Sequence, residues 1–347
     1  MRPTSAEPWL VPWRQFDRVV PAIGAFEHVQ TRKRAMTNIG TLSGMTALVT
    51  GATGFLGGAV ARRLRAAGAI VHGSSRRRQH DGIDCECWWQ ADLTDADDAR
   101  RILDLARPDV VFHLSGPTSA ARDLDMTLPM LQANLVAVVN LLTAATQRGG
   151  VRLLFAGSSE EPKPALTWPV PSSPYAAAKL AASTYARMFY ALFGTPVVCL
   201  RIFMAYGPSQ RDTRKLVPYV TRSLLRGESP ALSSGSRSVD WIYVDDVVEA
   251  FLAAAVAEGV EGTTLDVGSG TSVTLRTVVE NLVRIIDPSI APRFGVVPDR
   301  PLEQECVANV TDTAMRLGWQ PQISLEEGLR RTVEWYRRYE PALSRAQ

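Results

Sequence analysis

Tyr175 and Lys179 are the first candidates for chemistry in this chain, and they follow Pro174 in an alanine-rich stretch. In a helix, a separation of four residues places two side chains on the same face. A lysine ammonium beside a phenol favours the phenolate, so we expect Lys179 to lower the pKa of Tyr175. A phenol with a lowered pKa suits proton transfer near neutral pH. Because this pair occurs often by chance, its meaning depends on the elements around it.

Three more polar residues, Ser158, Ser159 and Glu160, come after a strand-like run over residues 151–156. Ligands of open parallel sheets bind at the carboxyl ends of strands. A hydroxyl there could hold a substrate oxygen while Tyr175 exchanges a proton with it, whereas ordinary turn chemistry is the alternative role for the serines. We predict a catalytic set of Ser158, Tyr175 and Lys179, with Ser159 and Glu160 as second-rank candidates.

Gly51, Gly54 and Gly57 lie between a strand-like run, residues 46–50, and a helical pattern over residues 58–67. The first glycine permits a sharp turn, the second lets the backbone approach a pyrophosphate, and the third lets the helix pack close to the sheet. The helix N-terminus then presents backbone N–H groups to the phosphates. The spacing differs from the usual GxGxxG, but the strand before it and the helix after it predict a dinucleotide site.

The end of the second predicted strand, residues 69–73, indicates which dinucleotide binds. An NAD site places a carboxylate here to bind the ribose 2′-hydroxyl. This chain has Ser75 there, followed by Arg76, Arg77 and Arg78. Arg76 or Arg77 could pair bidentately with a 2′-phosphate. The loop therefore favours NADP(H), and a solvated basic loop is the alternative.

Strand-like and helical segments alternate from Met45 onwards, which predicts right-handed βαβ units. The fold class is therefore α/β, with a Rossmann-type doubly wound parallel sheet. The third strand is expected to end at Asp92 and Leu93, and a long helix is expected over residues 129–148. Residues 1–44 show no sustained period and are predicted to be an irregular N-terminal extension.

Composition argues against several other classes of protein. With 347 residues, 46% of them hydrophobic, the chain has ample apolar material for a core and is not expected to be disordered throughout. A net charge of +3 argues against a nucleic-acid partner. We find no run of about 18 uncharged apolar residues and expect no membrane span. The four cysteines have no disulfide-scaffold or metal-ligand spacing, and no signal peptide is apparent, so we expect a cytoplasmic protein without a bound metal.

Short motifs occur in a fixed order along about residues 46–337. They lie at residues 50–57, Asp92, 113–116, Asn134, 140–142, Ser158, 174–179, 201–203, 206–208, 243–246, 267–270 and 317–319. In this order they resemble the extended short-chain dehydrogenase/reductase family, whose best-known members act on nucleotide sugars. The loop after the second strand resembles that of GDP-mannose 4,6-dehydratases, which use NADP.

The family resemblance implies a domain plan and a set of contacts. It implies an NADP(H)-binding domain over residues 45–200, to which about 201–215 and 238–268 return, and a smaller C-terminal α/β substrate-binding cap over about 216–237 and 269–340. The family commonly forms homodimers through a four-helix contact that would include the Tyr175 helix. Cofactor contacts are then expected at Gly51, Thr53, Gly54, Phe55, Leu56, Gly57, Ser75, Arg76, Arg77, Asp92, Leu93, Leu114, Ser115, Gly116, Asn134, Tyr175, Lys179, Ile202 and Phe203. Substrate contacts are expected at Thr118, Ser119, Met204, Val217, Arg237 and Arg300.

The chain departs from the family pattern on the substrate side. Met204 stands where the family usually has an asparagine that helps to bind the sugar nucleotide. Val239 stands where the family has a diphosphate-binding arginine, and Arg237, two residues earlier, could replace it. Arg300 matches another usual phosphate contact.

Three reactions are open on this scaffold, and the pattern favours the first. An NADPH-dependent reductase would reduce a 4-keto group on a nucleotide-activated 6-deoxyhexose, carried by dTDP or GDP, with Tyr175 protonating the oxygen. A 4,6-dehydratase would need a carboxylate such as Glu160, and a 4-epimerase usually keeps NAD bound. The pair Glu160 and Glu161 resembles the reductase pattern more. An NADP(H)-binding sensor is the non-enzyme alternative.

Overall fold

The computed structural model describes residues 42–77, 85–119, 121–162, 170–300 and 305–343. The predicted N-terminal extension lies almost entirely outside the described residues, as does Arg78 of the predicted basic loop.

The main sheet is parallel and has seven strands. They are β1 (Thr46–Thr50), β2 (Ile70–Ser75), β3 (Cys87–Gln90), β4 (Val110–His113), β5 (Arg152–Ser158), β6 (Val197–Ile202) and β9 (Thr264–Val267). Their order is β3-β2-β1-β4-β5-β6-β9, so the strand order reverses between β1 and β4. Ligands of open α/β sheets bind at such a switch point. The central strand β4 is buried throughout, as expected for a parallel strand covered on both faces.

Helices cover both faces of this sheet. One face packs against α1 (Phe55–Ala66) and α7 (Val244–Val256), and the other against α2 (Ala96–Ala106), α4 (Ala137–Arg148) and α5 (Pro174–Phe193). Each face has its own cluster of buried apolar side chains. The predicted Rossmann-type architecture is therefore confirmed.

Local sequence signals explain where several helices begin and end. Asp95 begins α2, and its carboxylate accepts hydrogen bonds from backbone N–H groups of the first turn. Ser173 begins α5 in the same way, with Pro174 in the first turn. Gly194 ends α5 in the left-handed conformation, with φ at +67°, which glycine adopts without steric cost. These signals fix both ends of α5, the helix that carries Tyr175 and Lys179.

A second, smaller sheet of three strands lies later in the chain. Its strands are β7 (Met204–Tyr206), β8 (Ser238–Tyr243) and β10 (Ser272–Thr274), in the order β10-β8-β7. A third apolar cluster joins this sheet to α6 (Leu216–Leu225), α8 (Leu275–Ile286) and α10 (Leu325–Leu343). The short helix α9 (Val310–Leu317) packs against β9 of the seven-stranded sheet.

Asp240, in the smaller sheet, connects three segments of the chain through one buried carboxylate. It accepts hydrogen bonds from the backbone N–H groups of Ser269 at 2.6 Å, Gly270 at 3.0 Å and Ala308 at 3.0 Å. Hydrogen bonds from several N–H groups offset the free-energy cost of burying a carboxylate. The turn after β9 and the segment before α9 are thereby held to β8.

The helix predicted over residues 129–148 begins earlier and is less regular than the sequence indicated. A 3₁₀ turn (Leu124–Met126) leads into α3 (Thr127–Leu131), then a π-helical segment (Gln132–Val136), then α4. The continuous stretch Leu124–Arg148 is long and apolar enough to cross a membrane by length and mean hydropathy, although polar residues such as Gln132, Asn134 and Asn140 interrupt its apolar runs. A core helix passes the same test, and its residues Leu141 and Leu142 are buried in the apolar cluster on the α4 face of the sheet.

Candidate active site

Tyr175 and Lys179 lie in the first turns of α5, and both are buried, with 7% and 6% of their surfaces exposed. The Ser173 hydroxyl accepts the backbone N–H of Ala176 at 3.1 Å, which fixes the turn that carries Tyr175. The Lys179 ammonium donates to the carbonyl oxygen of Ala156 at 2.8 Å and lies 5.8 Å from the centre of the Tyr175 ring. The predicted shared face of the helix is therefore observed.

Ser158 is the last residue of β5, and its hydroxyl is hydrogen-bonded to the Tyr175 phenol. The same hydroxyl accepts the backbone N–H of Glu160 at 3.2 Å. Ser159 and Glu160 form the turn that follows the strand. The strand end and the helix start thus meet at one point, as the sequence predicted.

Burial raises the pKa of Tyr175, and the neighbouring Glu160 and Glu161 raise that pKa further. The hydrogen bond with Ser158 lowers it, but by less. Our prediction of a lowered phenol pKa is therefore wrong for this structure. The physical reason is that removing the phenolate from water costs more than its neighbours return. Burial also lowers the pKa of Lys179, while Glu161 opposes that effect.

The glycine loop after β1 has a shape that only glycines permit. Gly51 has φ at +71°, and a Cβ atom on it would lie 2.8 Å from the backbone of Ser115. A Cβ atom on Gly57 would lie 2.2 Å from the carbonyl oxygen of Gly51. Gly54 begins α1 without a side chain, so the first-turn N–H groups of that helix meet no capping side chain. Such a turn fits the diphosphate of a dinucleotide.

One cleft of about 670 Å³ joins the glycine loop to the predicted catalytic residues, at the carboxyl ends of β1, β4, β5 and β6. Most of the predicted site residues line it. They are Thr53, Gly54, Phe55, Leu56, Leu114, Ser115, Gly116, Thr118, Ser158, Ser159, Glu160, Tyr175, Lys179, Ile202, Phe203 and Met204.

Several predicted cofactor contacts lie at the ends of β2 and β3, outside this cleft lining. The Ser75 hydroxyl binds the backbone of Arg77, accepting from its N–H at 3.1 Å and donating to its carbonyl at 3.0 Å. Arg76 and Arg77 are exposed. The carboxylate of Asp92 accepts the backbone N–H of Thr94 at 3.1 Å. Leu93 is buried in the core beside α2.

Asn134 lies behind the cleft, in the π-helical segment, and is 1% exposed. Its amide donates to the carbonyl of Pro117 at 3.3 Å. A Cβ atom on Gly116 would lie 2.7 Å from the amide oxygen of Asn134. Asn134 therefore packs against the Gly116 turn and holds it through the hydrogen bond to Pro117.

Three of the six predicted substrate contacts line the cleft or the small cavity beside it, and the other three do not. Thr118 and Met204 line the cleft, and Arg237 lines a small adjoining cavity together with Glu160 and Met204. Val217 is buried in the apolar cluster under the smaller sheet. The other two, Ser119 and Arg300, lie outside both cavities.

Lys215 and Arg211 line the cleft although the sequence analysis did not select them. The Lys215 ammonium donates to the carbonyl of Thr118 at 2.8 Å. Burial lowers the pKa of Lys215, while Glu160 and Asp212 raise it. Lys215 is the N-cap residue of α6, next to the positive end of the helix dipole, where a cation is unfavourable. That mismatch was the available signal for a functional lysine.

Comparison with known proteins agrees with the geometry of this site. A model of the NAD dependent epimerase/dehydratase family matches residues 47–268, which include the glycine loop and all three predicted catalytic residues. The protein belongs to the NAD-dependent epimerase/dehydratase family. The predicted resemblance to the extended short-chain dehydrogenases/reductases is thereby confirmed.

Relatives within the epimerase/dehydratase family catalyse different reactions. The chain is 33% identical to the UDP-glucose 4-epimerase of Mycolicibacterium smegmatis over 320 residues, covering 84% of this chain and 99% of that protein. It is 28% identical to dTDP-glucose 4,6-dehydratase 1 of Escherichia coli over 336 residues, covering 84% and 92%. The structure of MoeE5 in complex with UDP-glucose and NAD has a TM-score of 0.76 at 29% identity, covering 85% of this chain and 99% of that one.

Proposed function

We propose that the protein reduces the 4-keto group of a nucleotide-activated 6-deoxyhexose, carried by dTDP or GDP, with NADPH as the reductant. The observation that carries this proposal is that one cleft holds Ser158, Tyr175 and Lys179 beside the glycine loop. Burial raises the pKa of Tyr175, which favours the protonated phenol, the form that donates a proton to a carbonyl oxygen in the reductive direction.

Each catalytic residue has one task in this reaction. NADPH, when bound beside the glycine loop, would supply the hydride for C4 of the sugar. Tyr175 transfers its phenolic proton to the ketone oxygen, and the Ser158 hydroxyl, bonded to the same phenol, holds that oxygen in place. The Lys179 ammonium stabilises the phenolate that remains, which then takes a proton from solvent.

Cations in the cleft support a phosphorylated substrate. Arg211 and Lys215 line the cleft, and Arg300 is close enough to Lys215 to lower its pKa. Ammonium and guanidinium groups are the usual partners of a diphosphate. Since Met204 brings no hydrogen-bonding group, these cations are the proposed anchors of the sugar nucleotide. The relatives that act on UDP-glucose and dTDP-glucose support the same substrate class.

The end of β2 supports NADPH rather than NADH. No carboxylate follows this strand in residues 74–77, where Ser75 binds the backbone of Arg77. The exposed guanidinium of Arg76 or Arg77 is the proposed partner of the 2′-phosphate. MoeE5 was solved with NAD, so NADH binding is the competing outcome.

Glu160 favours a second candidate, a nucleotide-sugar 4,6-dehydratase. That reaction oxidises C4, eliminates water across C5 and C6, and returns the hydride to C6. It needs a carboxylate for the proton transfers, and Glu160 lines the cleft beside Ser159. A 4-epimerase and an NADP(H)-binding sensor are the remaining alternatives.

Product analysis with the full chain separates these candidates. We expect NADPH to be consumed in proportion to the NDP-4-keto-6-deoxyhexose that is reduced. Turnover of an NDP-hexose without added reductant would instead support the other two enzymes, and the mass of the product distinguishes loss of water from epimerisation. Cofactor binding without turnover of any of these sugars would support the sensor.

Three further properties belong to this proposal. All four cysteines are free thiols, which fits the reducing cytoplasm as the site of the reaction. A homodimer in contact through α5 is proposed, because that helix exposes Tyr185, Tyr190, Leu192 and Phe193. We also propose that the three-stranded sheet and its helices form the substrate-binding cap, as the family resemblance implies.

A further inference from the structure

Glu161 is a buried carboxylate directly behind the catalytic residues, and only 1% of its surface is exposed. Its Oε1 atom accepts the backbone N–H of Ser158 at 2.7 Å. Its Oε2 atom accepts the hydroxyl of Ser183, on α5, at 2.7 Å. One side chain therefore bonds both the strand end that presents Ser158 and the helix that presents Tyr175 and Lys179.

The fold leaves room for this carboxylate. A Cβ atom on Gly157 would lie 2.7 Å from Oε1 of Glu161 and 2.7 Å from the Cys199 sulfur, so any larger residue would displace one of them. Glu160, the neighbour of Glu161, lines the cleft, whereas Glu161 does not. The two adjacent glutamates therefore lie in different surroundings: Glu160 lines the cleft and Glu161 is buried behind it.

The charges around Glu161 come from two elements. Burial raises the pKa of Glu161, and the hydrogen bonds from Ser158 and Ser183 oppose that shift. The positive charges of Arg201 on β6 and Lys179 on α5 oppose it further and favour the ionised carboxylate. Arg201 also donates to Asp266 at 3.0 Å, and Cys199 on β6 and His113 on β4 are neutral neighbours whose ionisation burial opposes. Glu161 in turn raises the pKa of both Lys179 and Tyr175.

We propose that Glu161 is a positioning residue: its carboxylate holds the Ser158 peptide against the helix that carries Tyr175 and Lys179, and it places a negative charge behind both side chains. Its role in turnover rests on the proposed function. Glu161 is buried and does not line the cleft, so its effect would pass through Ser158, Tyr175 and Lys179.

Glu161→Gln tests the charge while keeping the shape. The amide can still accept the Ser158 N–H and can donate to Ser183, so we expect a folded protein. Loss of the negative charge should lower the pKa of Tyr175 and Lys179 together. For the reverse reaction, oxidation of the alcohol, the phenolate is the required form, so the acidic limb of the pH profile of kcat with oxidised cofactor bound should move to lower pH by about one unit. A role as mere filler of space would leave the profile unchanged.

Glu161→Asp tests the reach while keeping the charge. The shorter side chain cannot hold both partners, so kcat should fall about tenfold, the size expected for one lost hydrogen bond to a charged group. The pH profile and the KM for cofactor should stay as in the unmodified protein. Glu280→Gln, on the exposed face of α8, is the matched control and should change neither quantity.

A substrate-free measurement separates this inference from the proposed function. The phenolate absorbance of the oxidised-cofactor complex is titrated, with Tyr175→Phe subtracted as the baseline, in the unmodified protein and in Glu161→Gln. A lower Tyr175 pKa in the variant supports the inference even if no nucleotide sugar is turned over. Equal titration curves in two folded proteins would overturn it, whatever the substrate proves to be.

Discussion

Tyr175, the proposed proton donor, shows how burial sets the protonation state of a side chain in the cleft. The phenol is removed from water, faces two glutamates and receives little compensation, so its pKa lies above the ordinary value. The raised pKa favours the protonated phenol, which is the proton-donating form. An oxidised cofactor would bring positive charge and reverse part of this effect, so the same residue could act as a base in the opposite direction.

Tyr175→Phe should remove the proton donor and leave the shape of the cleft intact. We expect turnover to fall about 10²- to 10⁴-fold, the usual contribution of a general acid. The affinity for NADPH, measured by fluorescence titration, should hardly change. Tyr339→Phe, an exposed tyrosine on α10, is the matched control. Unchanged turnover in Tyr175→Phe would contradict the catalytic role.

Arg76→Ala should weaken NADPH binding without weakening NADH binding. One charge-assisted pair with the 2′-phosphate is worth about 1.5–3 kcal/mol, which predicts a loss of roughly tenfold or more in NADPH affinity. Arg77→Ala, measured in parallel, shows which of the two arginines makes the contact. If both variants bind the two cofactors as the unmodified protein does, the basic loop is only a solvated surface.

The positions of the end of β5 and the start of α5 determine the distance between the Ser158 hydroxyl and the Tyr175 phenol. β5 ends at Ser158 and α5 begins one residue before Tyr175, so any shift of either end moves the hydroxyl away from the phenol. Ser173 caps the start of α5. Glu161 links α5 to the end of β5, because it accepts hydrogen bonds from Ser183 on the helix and from Ser158 on the strand. The geometry of the site therefore depends on where these elements begin and end more than on their length.

Ser173→Ala should destabilise the start of α5. Loss of an N-cap side chain costs about 1 kcal/mol, so we expect a drop of that size in the free energy of unfolding by urea. Turnover should fall as well, because the first turn carries Tyr175. Ser173→Asn, which keeps a capping acceptor, should restore both values. Equal losses in the Ala and Asn variants would show that capping is not the cause.

The whole molecule presents apolar side chains on two neighbouring helical segments. Tyr185, Leu192 and Phe193 on α5 are 41%, 69% and 56% exposed, and Leu128 on α3 is 67% exposed. Large exposed apolar groups in one region mark a protein contact. The proposed dimer contact would therefore lie on α5, the same helix that carries Tyr175 and Lys179.

Tyr185→Glu combined with Leu192→Glu should dissociate the proposed dimer. We expect the unmodified protein to sediment at about twice the chain mass of 37.9 kDa, and the double variant to sediment as a single chain. Met315→Glu, which changes an equally exposed apolar residue on α9, should leave the mass unchanged. Sedimentation of the unmodified protein as one chain would contradict the dimer.

Sequence alone was sufficient for the fold class, the glycine loop and the set of Ser158, Tyr175 and Lys179. These depend on local patterns: apolar runs that form buried strands, glycines that a tight turn requires, and a spacing that shares one helical face. The chain order of strands and helices then placed the strand end and the helix start at the same edge of the sheet.

Only the tertiary structure decided the electrostatics of the site. The pKa of Tyr175 moved opposite to the prediction because burial outweighed the neighbouring ammonium, and burial depends on every segment packed around the residue. Glu160 and Glu161 are adjacent in the chain, yet one lines the cleft and the other is enclosed behind it. Lys215 reaches the cleft from a helix far along the chain. Desolvation and long-range contacts are properties of the packed molecule, so no local pattern of residue types contains them.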